Sequence, residues 1–148
     1  MKVSELFESS PLSGINLAQA LAIKYGDDKK DIVRILLDFE ELKDHGYTLT
    51  SLGGLPKSTR LKTLVLDGFT ELTSLKGMPI VEEEVAIMGC GIDSLEGVSP
   101  TCDYYSFYGN KKLKSFHNVH KHIQEIGINI HLDTDIKDSL LGLTKISG

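Results

Sequence analysis

Tryptophan is absent from this 148-residue chain, cysteine occurs twice and proline four times. Each scarcity excludes something. Two thiols, Cys90 and Cys102, cannot build the disulfide framework of a small secreted domain, and they do not form a CxxC pair. Few prolines, with 41% hydrophobic and 25% charged residues, argue against wholesale disorder. No apolar run approaches the roughly 18 residues of a membrane span. Glu5 and Glu8 interrupt the opening MKVSELFESS where a secretory signal needs an apolar core. A basic half is missing as well. The net charge is −5, with nine acids against six bases in residues 1–47 and twelve against ten in 48–148. That balance predicts no nucleic-acid partner and no membrane partner. The expected setting is the reducing cytoplasm.

What the sequence does contain is a repeat. An apolar-x-Ser-apolar tetrad occurs as Leu49-Thr50-Ser51-Leu52, Leu72-Thr73-Ser74-Leu75, Ile92-Asp93-Ser94-Leu95 and Leu113-Lys114-Ser115-Phe116, with a degenerate copy at Lys137-Asp138-Ser139-Leu140. Two residues after each comes Gly54, Gly77, Gly97, Asn118 or Gly142, and Pro56, Pro79 and Pro100 close the first three copies. Between the tetrads lie short alternating runs around Leu64-Val65-Leu66, Val85-Ala86-Ile87, Tyr105-Ser106-Phe107, Ile126-Gly127-Ile128 and Ile146-Ser147-Gly148, spaced 21, 20, 21 and 20 residues apart. Alternation of period two is the mark of a half-buried strand. A unit of about 20 residues cannot bury its own apolar face, so neighbouring copies must share one core.

Joined, the two elements read Leu61-x-x-Leu64-x-Leu66-x-x-Phe69, then Val85-x-Ile87-x-x-Cys90-x-Ile92, then Tyr105-x-Phe107-x-x-Asn110-x-x-Leu113. This resembles the leucine-rich-repeat pattern LxxLxLxxN/CxL over residues 48–148, with Cys90 and Asn110 at the polar ladder position and Phe69 departing from it. The resemblance implies an α/β solenoid: a right-handed superhelix with a short parallel sheet of about five strands in repeats of ~21 residues. It also implies that the ladder side chains hydrogen-bond the backbone turning away from each strand. Cys90 is then a structural thiol rather than a nucleophile.

Residues 1–47 lack the repeat and predict an N-terminal helical cap ahead of the solenoid of 48–148. Ser13 is the expected cap of a helix from about Ile15 to Tyr25, with Ile15, Ala18, Ala22 and Tyr25 on one face and Gly26 ending it. Ile32, Ile35, Leu36, Phe39 and Leu42 predict the apolar stripe of a second helix.

Catalytic motifs are missing: there is no GxSxG, P-loop, GxGxxG or HExxH. The histidines His117, His120 and His122 lack a matched ligand pair, so neither a metal nor any other cofactor is expected, and the chain is not expected to be an enzyme. A metal-dependent enzyme built on those histidines is the weakest of three readings. The favoured one is a protein-binding module. Side chains flanking the inward strand pairs must line the concave surface. These are Thr63, Val65 and Asp67; Glu84 and Met88, with Ala86 between; Tyr104, Ser106 and Tyr108; and Glu125 and Asn129, with Gly127 between. Tyrosine and methionine in the middle of that array suit an interface.

The opening MKVSELFESS and the ending LLGLTKISG resemble short leucine-rich-repeat proteins carried by large tailed phages, and Leu6-Phe7-Glu8 matches the LxE form after which prohead proteases of such phages cut. The resemblance implies a phage factor engaging a host or virion protein in the host cytoplasm, with a structural virion component as the rival. The strand rhythm puts Ile146 at an uncovered edge with Leu140, Leu141 and Leu143, which predicts a weak homodimer, or an edge-docked partner, at the C-terminal edge.

Overall fold

The computed structural model of the chain describes residues 12–26, 32–100, 102–113 and 129–132, the last four by their backbone alone. In chain order its elements are β1 (Ser13–Ile15), α1 (Leu17–Tyr25), β2 (Arg34–Asp38), α2 (Phe39–Lys43), β3 (Tyr47–Leu49), β4 (Arg60–Asp67), β5 (Ile80–Met88), β6 (Tyr104–Phe107) and β7 (Asn129–Leu132). The result is an α/β protein with two helices among the described residues and two parallel sheets. One sheet is the pair β1–β3; the other is an open five-stranded sheet ordered β2-β4-β5-β6-β7.

Alternation decides which face of the larger sheet is dry. Ile35 and Leu37, Leu64 and Leu66, Val85 and Ile87, and Tyr105 and Phe107 are all buried on one side. They stand in register: Ile35 beside Leu64, Leu64 beside Val85, Val85 beside Tyr105. The tetrads close the same core from below, since Leu49, Leu52, Leu72, Leu75, Ile92, Leu95 and Leu113 are buried with them. Each such side chain contributes roughly 1.5–3 kcal/mol when fully removed from water. Glycine lets the turns stack closely. A Cβ on Gly97, whose φ is +93°, would lie 2.5 Å from the Lys76 backbone. No L side chain fits there without displacing main chain.

The ladder position works as the pattern implied at two of its three places. Asn110 Nδ2 donates to Ile87 O at 2.8 Å, while Asn110 Oδ1 accepts from Cys90 N at 2.9 Å. Cys90 is buried in the same column, its Sγ 3.4 Å from Met88 O and 4.0 Å from Leu66 O. Phe69 makes no polar substitute and instead packs edge-on against Phe39, with 6.4 Å between ring centroids. A further buried link was not expected: Ser99 Oγ accepts from Val81 N and donates to Val81 O, and Tyr105 Oη donates to Ser99 O.

Several expectations need correction. The stripe from Ile32 to Leu42 is not one helix. Its first half is β2, paired with β4, and only Phe39–Lys43 is helical, capped by Asp38 Oδ1 accepting from Glu40 N. Pairing with β4 gives Ile35 and Leu37 a dry face beside Leu64 and Leu66, which a lone amphipathic helix could not match. Helix α1 starts two residues later than expected. Asn16, not Ser13, caps it, through a reciprocal box with Gln19. Its buried face is Leu17, Ala20 and Leu21, while Ala22 is exposed. Ser13 belongs to β1. Finally, the backbone neighbour of Tyr105 is Ile130 rather than Ile126, so β7 lies four residues further along than the repeat spacing predicted. The strand expected at Ile146, the aliphatic cluster of Leu140, Leu141 and Leu143, the LxE segment and His117, His120 and His122 lie outside the described residues.

Candidate functional site

Among the described residues, no core packs on the other face of the five-stranded sheet. Register arranges its side chains in rows. Arg34, Thr63, Glu84 and Tyr104 form the first row, and Leu36, Val65, Ala86 and Ser106 the second. Asp38, Asp67 and Met88 align in the third, with Tyr108 just past the end of β6 on the same side of the alternation. The structure therefore brings together eight of the residues expected on the binding surface: Thr63, Val65, Asp67, Glu84, Met88, Tyr104, Ser106 and Tyr108. The backbone of Asn129 aligns with Tyr104, and Glu125 lies outside the described residues. Small Ala86 and Ser106 are sunk between larger neighbours and are buried, leaving a shallow trough.

Three face residues were missed: Arg34, Leu36 and Asp38, all on β2. Leu36 is 53% exposed and Tyr108 41%, the two most exposed large apolar side chains among the described residues. Val65, Met88 and Tyr104 lie half-buried between them. A signal for β2 was present, because Ile35-Leu36-Leu37-Asp38 repeats the form of Leu64-Val65-Leu66-Asp67.

Charge is distributed unevenly over this face. Arg34 Nη1 lies 2.9 Å from Glu83 Oε1 and 3.2 Å from Thr63 Oγ1, and Lys62 Nζ reaches Glu83 Oε2 at 3.5 Å. The hydrogen bond from Arg34, helped by the positive charges of Arg34 and Lys62, holds the Glu83 carboxyl below its ordinary range despite opposing desolvation. Both bases are thus turned toward one acid. Arg34, Thr63, Glu83, Glu84, Asp103 and Tyr104 line a shallow depression of about 550 Å³.

Beta-edge chemistry is restrained next to this surface. Strand β2 is the sheet's edge, and Lys24 of α1 donates to its Leu36 carbonyl while pairing with Glu41 at 3.1 Å. Lys24 thus occupies one carbonyl that an added strand would need, as charged side chains on edge strands commonly do.

Elsewhere the chemistry is structural. Among the described residues, no group of three or more His, Cys, Asp or Glu is placed to hold a metal ion, and no helix is long and apolar enough to cross a membrane. Burial pushes the Cys90 thiol up to about 11 and raises that of Cys102. A thiol so raised is a poor nucleophile near neutral pH. Because the folded state disfavours the thiolate, the stability from Cys90 is complete below the ordinary thiol value near 9 and is lost as pH rises through about 11. Denaturation of wild type and Cys90→Ala at several pH values should therefore show the gap between them shrinking over that window by up to roughly 2 kcal/mol. An unchanged gap would place Cys90 in contact with water.

Comparison with models of known protein families, with curated proteins and with solved structures gives no match.

Proposed function

We propose that the chain is a non-enzymatic protein-binding module, that its five-stranded sheet is the concave side of a leucine-rich-repeat solenoid, and that this side holds the partner. One observation carries the binding reading. Five large apolar or aromatic side chains, Leu36, Val65, Met88, Tyr104 and Tyr108, share one face across four neighbouring strands, interspersed with Asp67, Glu84 and Ser106. Single exposed apolar residues are ordinary, but several gathered with polar neighbours on one rigid sheet face suit an interaction surface. The solenoid reading is supported by the Asn110–Cys90 column, by the near-constant register of β4, β5 and β6, and by glycine turns packed against one another. The sequence resemblance to phage leucine-rich-repeat proteins makes a host or virion protein the class of partner to test first.

Alanine at Tyr104 or Tyr108 should leave folding intact and weaken partner binding by roughly 1–4 kcal/mol each, as at interface anchors. Calorimetry with the captured partner measures this. Unchanged affinity in both variants would move the contact off the sheet face.

A further inference from the structure

We propose that the segment received on this face is cationic on both sides of an apolar centre. The inference rests on the binding reading above and deepens it by naming the partner's chemistry. The face presents five acids, Asp38, Asp67, Glu83, Glu84 and Asp103, against two bases, Arg34 and Lys62. Both bases are within ion-pair distance of Glu83. Asp38, Asp67, Glu84 and Asp103 have no cationic side chain within 4 Å among the described residues.

Their placement is not diffuse. Asp38 and Asp67 are register partners at the C-terminal ends of β2 and β4. Neighbouring strands lie about 4.8 Å apart, so two like charges sit side by side where cross-strand pairing ordinarily puts opposite charges. Glu84 and Asp103 stand at the other end, beside the depression that Tyr104 also lines. The second row, from exposed Leu36 through Val65 to the trough at Ala86, runs between these two acidic poles. Four residues of strand and two strand spacings put the poles about 13–16 Å apart. A segment matching this surface places an aliphatic or aromatic side chain in the trough and Lys or Arg about that far apart on either side. Five extended residues, or three helical turns, span the distance. An acidic segment would meet like charge at both ends, at Asp67 and at Glu84 with Asp103.

A displayed library of random twelve-residue peptides supplies the probe. It is selected on the folded full chain and counter-selected on Leu36→Ser, a substitution at an exposed position that removes the aliphatic contact without adding charge. Peptides that bind the wild type and not Leu36→Ser should be enriched in Lys and Arg flanking an apolar residue. Their affinity should fall at least about fivefold on the combined change Asp67→Asn and Glu84→Gln, and again as salt rises from about 50 to 500 mM. Melting of the charge variant at or above the wild-type temperature keeps that loss from being a folding effect. Face-dependent peptides without basic enrichment, or with affinities indifferent to salt and to the charge variant, would overturn the cationic assignment and leave the binding face standing. No peptide distinguishing wild type from Leu36→Ser would remove both.

Discussion

Val85→Asp should abolish folding or cost at least about 4 kcal/mol, the largest effect expected of any single change in the sheet. Val85 is fully buried on β5, with Leu64 beside it on β4 and Tyr105 on β6. A carboxylate there has no cation to meet, so it must either remain charged among aliphatic side chains or take up a proton at a cost. Val65→Asp provides the internal control. It lies one residue from Leu64 on the same sheet but on the open face, half-exposed. Its expected cost is below about 1.5 kcal/mol, because water reaches the new group. Urea denaturation of the two variants compares the faces directly. Equal losses would mean that the assignment of inside and outside is wrong.

Asn110→Ala ranks next, at roughly 2–5 kcal/mol. The side chain is 1% exposed and bonds to main chain of the preceding turn at both Ile87 O and Cys90 N. Removing it strands a buried acceptor and a buried donor, each costing about 1–3 kcal/mol when unsatisfied. Truncation of neighbouring exposed Lys111 removes no such bond and should change stability by less than about 0.5 kcal/mol. Hydrogen exchange gives the local signature. The Cys90 amide should lose protection in Asn110→Ala by more than its neighbours do, whereas a uniform loss would point to general loosening rather than a broken ladder.

The regular middle of the chain was legible because its physics is periodic. Leu64, Val85 and Tyr105 follow from spacing alone, since each alternating run has an apolar inward pair and a variable outward set. Ladder residues Cys90 and Asn110 could be read from their position in the repeat. Two kinds of feature escaped. Strand β2 has apolar Leu36 on its outward face, which destroys the alternation and leaves Ile32, Ile35, Leu36, Phe39 and Leu42 mimicking a helical stripe. The residue that disguised the strand is the one that now marks the proposed binding surface. Strand β7 escaped because Ile126 and Ile128 continue the 20–21-residue rhythm, whereas its true neighbour of Tyr105, Ile130, stands four residues beyond it. The face residues on β4, β5 and β6 were readable, but the ties of Arg34 and Lys62 to Glu83 were not. Those contacts join residues far apart in sequence, and only the pairing of β2 with β4 and of β4 with β5 brings them together.

The central claim is that the open sheet face, and not the turns behind the core, receives a protein. Site-specific photo-crosslinking tests it most directly, because it captures a partner whose identity is still unknown. A photoreactive phenylalanine analogue is placed at exposed Leu36, at Tyr108 and, as the control on the turn side, at exposed Glu96, in cells that naturally carry the chain. The account predicts the same discrete protein adduct from positions 36 and 108, none from 96, and loss of the first two when Val65 is changed to Asp. An adduct from position 96 that survives Val65→Asp, with none from 36 or 108, would contradict it.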